Sequence, residues 1–352
     1  TAPCYLISYL RDTDVSTNTN RNQRDETRLR ATHHKTAPRP ATVLITTKDR
    51  RDLLRNAIRS VLMQSVAVDI LVVDDGSSDG TSDMVRQEFP EVTLVRNLQA
   101  NGIIKARNVA AEMVSTPVLF TLDDDAEFGG ETTVQRALAA LDHPRVGVVT
   151  LPLIDHVDGT SRLRGDSKRA NQDDFPVSRA FLGGANALKL DLFRMLGGYG
   201  GQGRQGEESG YALRLLDHGY VVRFADTEPV DHYPVRSTRN LREIAFFHAQ
   251  NTVLYAWEYV PASRLPLQLA ASTINTLKLG LTRKMLGAAI HGLLSGAALV
   301  VRGKTHRSPV GVPAYRLSRS LTAEGELPFS RVQQTLPQSI RPATSHVSSA
   351  SK

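Results

Sequence analysis

The chain holds 352 residues, 41% hydrophobic and 22% charged, which supplies a large core and excludes a wholly disordered protein. Its single cysteine, Cys4, excludes an intrachain disulfide and fits a reducing compartment. The net charge of +7 leaves nucleic acid, an anionic membrane and phosphorylated ligands all open as partners, since charge alone does not choose.

In chain order, residues 1–39 are basic and rich in Thr, Asn and Arg with little apolar periodicity, so a disordered tail is expected, His33-His34 included. Its apolar piece Pro3–Leu10 is too short for a secretion signal and lacks the basic flank. Order begins with the β-branched strand at Thr42–Thr47, then an amphipathic helix presenting Leu54, Ile58, Val61 and Leu62. A second strand, Val68–Val73, runs into Asp74-Asp75 and the turn Gly76-Ser77-Ser78-Asp79-Gly80-Thr81. A third strand spans Val92–Arg96, and a helix from Ile103 to Val114 carries Lys105, Arg107 and Asn108. The fourth strand, Val118–Leu122, ends in Asp123-Asp124-Asp125, and a fifth covers Val146–Thr150.

Strands alternating with helices predict a mostly parallel α/β sheet, whose ligands sit beyond the carboxyl ends of the strands. Carboxylates crowded there repel one another unless a cation lies between them; one that also holds a diphosphate is the natural candidate. The polar stretch 152–180 reads as an irregular lid or binding loop. Phe181–Leu188 reads as a strand whose Gly183 and Gly184 admit close backbone approach, and Gly197–Gly203 as a mobile turn. Gly206-Glu207-Glu208 opens a helix through Leu213, Arg214 and Leu215; a strand follows at Val221–Phe224, then Asp231-His232.

Beyond residue 240 the pattern changes. Leu241–Tyr259 predicts a helix, and Met285–Val301 is charge-free between basic flanks, with Leu286, Ile290, Leu293, Ala297 and Val300 at helical spacing. Seventeen residues fall short of a normal membrane span. The segment reads as an interfacial helix ahead of one packed on its own domain or a true span. The Pro/Ser/Thr-rich tail after Arg307 predicts disorder. No aromatic platform accompanies the positive charge, so nucleic acid is not an expected partner.

From Thr42 to about Tyr233 the ordered motifs resemble family 2 glycosyltransferases of the GT-A type, inverting enzymes that move a sugar from a nucleotide-diphosphate donor to an acceptor hydroxyl. Thr46-Thr47-Lys48-Asp49-Arg50 is similar to the family's Thr-x-Asn-Arg segment and implies a nucleotide pocket lined by Thr46 and Arg50. Val73-Asp74-Asp75-Gly76-Ser77 matches Val-Asp-Asp-Gly-Ser, where an acidic residue accepts the base N–H, Asp75 ahead of Asp74. Asn101-Gly102 through Arg107-Asn108 resembles the family helix whose basic groups, here Lys105 and Arg107, lie near the donor. Asp123-Asp124-Asp125 matches Asp-x-Asp, implying Asp125 as metal ligand and Asp123 toward ribose, sugar or metal, with no role for Asp124. His232 matches a histidine that completes the metal or diphosphate site. Gly206-Glu207-Glu208 aligns with Gly-Glu-Asp, which puts the general base on Glu208, one methylene longer than the family's Asp. Gly184, Ala185, Asn186 and Glu207 fall at the acceptor side.

The resemblance thus implies an α/β GT-A, Rossmann-like sheet flanked by helices with a helical C-terminal extension. The expected layout is a tail at 1–39, a transferase domain at 40–240 (nucleotide half 40–128, acceptor half 129–240), a helical, membrane-interfacial region at 241–303 and a disordered tail at 304–352. It also implies Mg²⁺ or Mn²⁺, a UDP- or dTDP-type sugar donor, a glycan or lipid-linked acceptor from cell-envelope synthesis, and a cytoplasmic location at the inner membrane face with peripheral membrane contact. The rival expectation is a nucleotide-sugar binding or scaffold protein that kept the pocket and lost the base.

Overall fold

The computed structural model describes residues 38–98, 102–157, 159–165, 174–234 and 240–338. The basic tail up to residue 37, Asn101 and the final residues from 339 lie outside the described residues. The first half of the fold alternates strictly. It runs β1 (Ala41–Thr47), α1 (Arg51–Leu62), β2 (Asp69–Asp74), α2 (Thr81–Glu88), β3 (Thr93–Arg96), α3 (Ile103–Met113) and β4 (Val118–Asp123). These four strands pair in parallel in the order β3-β2-β1-β4. Their side chains alternate between two apolar layers, as the pleat requires. Val43, Ile45, Ile70, Val72, Phe120 and Leu122 point to one layer, and Leu44, Leu71, Val73 and Leu119 to the other.

The second half is mixed. It contains β5 (Ala126–Glu127), α4 (Thr133–Leu141), β6 (Val146–Thr150), β7 (Leu153–Val157), β8 (Thr160–Arg164), β9 (Pro176–Ser178), β10 (Ala185–Lys189) and α5 (Leu190–Met195). Then come α6 (Glu207–Asp217), β11 (Val221–Phe224) and β12 (Val230–His232). The main sheet has nine strands, in which β9 and β10 run against the other seven. A second sheet of four strands, β5-β12-β7-β8, stands beside the end of β4.

Helices α7 (Leu241–Tyr259), α8 (Leu265–Thr282) and α9 (Leu286–Val301) form a layer in which each packs on the other two. The segment 285–301 therefore packs on its own domain through one stripe. Ala289, Gly292 and Gly296 are buried, and a Cβ on Gly292 would lie 2.2 Å from the Phe246 carbonyl of α7. No helix among the described residues is long and apolar enough to cross a membrane.

Three sequence expectations are corrected. The 152–180 stretch is not wholly irregular, because β7 and β8 form an antiparallel hairpin. Its polar run hid the strands, and β8 is exposed along its whole length. The strand expected over 181–188 begins only at Ala185, after a turn closed by the Ala185 N–H on the Leu182 carbonyl. The tail expected to be disordered from 304 forms α10 (Val312–Glu324), β13 (Leu327–Pro328) and α11 (Phe329–Gln333). Val310, Ala314, Leu317 and Leu321 are buried at helical spacing, and β13 joins the main sheet beside β9. The described residues from Pro38 on fall in one compact unit.

Candidate active site

Parallel register brings the candidate residues into one row. Thr46 lies beside Asp123, Thr47 beside Asp74, and Asp74 beside Arg96, all at the carboxyl ends of their strands. Along this row the carboxylates divide by partner. Asp74 is fully buried and spends both oxygens on its own turn, accepting from the Ser77 N–H at 2.7 Å and from the Ser82 hydroxyl. Its expected nucleotide contact is corrected: adjacent strand residues point to opposite faces, and this one braces the loop. Asp75, also buried, accepts from the Asn97 amide at 2.9 Å and the Gly102 N–H at 3.1 Å. That ties the β2 and β3 ends to the start of α3. Gly102, with φ of 81°, approaches so close to Gly203 that a Cβ would stand 2.9 Å from its carbonyl oxygen. Thr46 Oγ1 is buried without a hydrogen-bond partner, and Lys105 is exposed on α3.

The β1–α1 loop is stapled to the β2–α2 loop. Asp49, at φ 51°, donates its N–H to Ser77 Oγ at 2.9 Å and accepts the Ser78 N–H at 2.6 Å. This delivers Arg50 to the Asp cluster, where one guanidinium nitrogen donates to Asp124 at 2.8 Å and to Asp125 at 2.9 Å. Both carboxylates are buried. Burial pushes the Asp124 carboxyl up to about 6, against the pull of Arg50 and with a push from Asp125. Asp124, the middle residue of the Asp-x-Asp match, is thus one half of the seat of Arg50.

Asp123, Asp125 and His232 each turn a donor atom toward a common point, all within 4.8 Å of one another. His232 sits at the end of β12, held beside Asp125 by the pairing of β12 with β5. Its Nε2 lies 3.2 Å from Asp125, while its Nδ1 is 2.6 Å from Asp155 on β7. Burial opposes the charged imidazole, yet the two carboxylates prevail and hold its pKa above the ordinary value. Two carboxylates and an imidazole oriented by a third carboxylate, Asp155, fit a divalent cation. Asp155 was missed in the sequence, for nothing local marks it.

On the other side of Asp123 lies Arg107, almost wholly buried, donating to Asp123 at 2.7 Å and standing 3.5 Å from Glu207. Glu207 is itself buried with one oxygen unpartnered. It is a charge partner for Arg107 through its other oxygen. Glu208, the next residue, turns to the Gly183-Gly184 turn. A Cβ on Gly183 would stand 2.2 Å from Glu208 Oε1, and one on Gly184 1.9 Å from the Asp123 carboxylate. The two glycines clear space for two carboxylates, and the first gives room to the longer glutamate. Burial, then the charge of Glu207, pushes the Glu208 carboxyl up to about 7 despite Arg107.

Asn186 and Ala185 are fully buried, which corrects their expected acceptor role. The Asn186 amide donates to the carbonyls of Leu182 and Gly183 and to Thr121 Oγ1, so it shapes the glycine turn from beneath. The turn at 197–203 is pinned rather than mobile. Asn108 of α3 brackets the backbone of Tyr199, and Asn251 of α7 accepts from the Gln202 N–H and donates to the carbonyls of Gln202, Arg204 and Gln205. That clamp leads directly into Glu207 and Glu208.

Residues 42–196 match the family model Glycosyl transferase family 2. Polypeptide N-acetylgalactosaminyltransferase 16 of Mus musculus is 30% identical over 157 residues, covering 39% of this chain and 28% of that protein. The succinoglycan biosynthesis protein ExoU of Rhizobium meliloti (strain 1021) is 30% identical over 95 residues, 26% of this chain and 28% of that protein. The chain thus spans under a third of the length of these curated relatives. S. aureus TarS 1–349, solved in complex with UDP-GlcNAc, superposes with a TM-score of 0.55 at 14% identity, covering 84% of this chain and 90% of that one. The row of strand ends thus lies within the segment that matches the Glycosyl transferase family 2 model, and the fold is like that of TarS 1–349.

Proposed function

We propose that the protein is an inverting glycosyltransferase that moves a sugar from a nucleotide-diphosphate donor to an acceptor hydroxyl. The observation that carries this reading is the placement of Glu208 and Asp123 on either side of one glycine turn, with Arg107 between them. Asp123, Asp125 and His232 would hold the divalent ion, and the imidazole favours Mn²⁺ over Mg²⁺. When bound, that ion neutralises the donor diphosphate as it leaves. Asp75 and Thr46 line the nucleotide end. Arg50 holds Asp124 and Asp125 apart from open repulsion. Glu208, partly desolvated with its pKa near working pH, takes the proton from the acceptor hydroxyl as that oxygen attacks the anomeric carbon. A single displacement inverts the configuration.

The donor is expected to be of UDP or dTDP type, consistent with the UDP-GlcNAc carried by TarS 1–349. The acceptor is a glycan or lipid-linked hydroxyl of the cell envelope, at the inner face of the membrane, in keeping with the likeness to a succinoglycan biosynthesis protein. The test is a thermal-shift screen of nucleotide sugars with and without Mn²⁺, followed by turnover of each stabilising donor. Stabilisation by a UDP- or dTDP-sugar that is lost in Asp125→Ala, with turnover, supports the reading. Stabilisation without turnover on any acceptor extract reassigns the chain as a nucleotide-sugar binding protein.

A further inference from the structure

Between Tyr259 and Ala323 the sequence contains nine Lys/Arg residues and no Asp or Glu. The structure places much of this charge around one apolar surface. Helices α8 and α9 are joined by three residues, Arg283-Lys284-Met285, and close on each other where Gly280 meets Leu286 and Ala289. They form a helical hairpin whose small residues face inward. Outward, α8 exposes Leu267, Ala271, Ile274 and Leu281 at helical spacing, with Lys278 among them. On α9 the outward row is Leu286, Ile290, Leu294, Ala297 and Val301, with Leu294 65% and Val301 86% exposed. Exposed cations stand at both ends of α9, Arg283 and Lys284 before it, Arg302 and Lys304 after it. An open recess of about 370 Å³ beside the apolar row is lined by Arg242, Lys284 and His291 with Met285, Gly287 and Ala288.

An apolar row between cations is costly to hold in water and unsuited to an acidic protein groove alone, which would leave leucines wet. It suits an interface that offers hydrocarbon at one depth and phosphate at the next. We propose that the α8–α9 hairpin docks on an anionic phospholipid membrane, with Leu286, Ile290 and Leu294 entering the acyl boundary and the Arg242–Lys284–His291 recess taking a lipid phosphate. The hairpin lies in the interface plane; α9, at sixteen residues, is too short to cross. This deepens the proposed location of the enzyme and needs none of its transfer chemistry.

The experiment is co-sedimentation of the full chain, without donor, with vesicles of phosphatidylglycerol and phosphatidylcholine or of phosphatidylcholine alone. The chain pellets with the anionic vesicles and stays in solution with the neutral ones, and added salt weakens the binding. Ile290→Glu with Leu294→Glu and, separately, Arg283→Glu with Lys284→Glu each reduce binding about tenfold or more, since each basic residue near an anionic surface is worth several-fold. Thermal melts and nucleotide-induced shifts of both double variants match the parent, which separates lost docking from lost folding. Failure to bind anionic vesicles, equal binding by the variants, or light scattering showing that the face instead holds a second copy of the chain would each overturn the proposal. Running the same assay on Glu208→Gln keeps the two proposals apart, because its vesicle binding is unchanged whether or not Glu208 is the base.

Discussion

The two carboxylate groups at the sheet edge use the same residue types to opposite ends. At the β2 end, Asp74 is satisfied by its own turn, and Asp49 and Asp79 likewise bond to nearby backbone N–H groups. At the β4 end and the start of α6, Asp124 and Glu208 have pKa values pushed up by burial, and Glu207 keeps an unpartnered oxygen. The first group stabilises loops. The second is left electrostatically unfinished, the condition expected of groups that await substrate and ion.

Breaking the second group has the largest effect. Glu208→Gln keeps the shape and removes the base, so turnover falls about 10²–10⁴-fold while nucleotide binding and thermal stability persist. Steady-state kinetics beside a melt read both quantities. Breaking the first group gives the inverse pattern. Asp74→Ala strands the buried Ser77 N–H and Ser82 hydroxyl, costing about 1–3 kcal/mol of stability by denaturant titration. Asp155→Asn lies between the two. It weakens the hold on His232 Nδ1, and Mn²⁺ affinity measured by calorimetry drops about 10–100-fold with the fold intact. The smallest effect is on pH. Because Glu208 must be ionised to accept a proton and its pKa is raised to about 7, kcat/KM climbs as pH rises through that value. In Glu208→Asp the rise moves to lower pH, since the shorter side chain draws back from the Gly183 turn.

Much of this was legible in the sequence because strand ends announce themselves. The apolar runs before Asp74 and Asp123 placed the row of carboxylates, and Gly183-Gly184 marked a close approach that the structure assigns to Glu208 and Asp123. Which of two adjacent acids turns inward was not legible, since Asp74 and Asp75 differ only in the face they meet. Asp155 was hidden for another reason. It is 77 residues from His232 and reaches it only because β7 and β12 pair in the second sheet. The C-terminal helix was misread from composition, although Val310, Ala314, Leu317 and Leu321 carried the helical period in plain view.

The bonds from Asn251 to residues 202–205 carry a practical lesson about where the folded unit can be cut. A fragment cut after β12 would retain every strand that carries a proposed metal or nucleotide residue. It would nonetheless lose the rivet that sets the approach to Glu208, and with β13 the outermost rung of the sheet. Any shortened version for crystallography or engineering should therefore extend through α11.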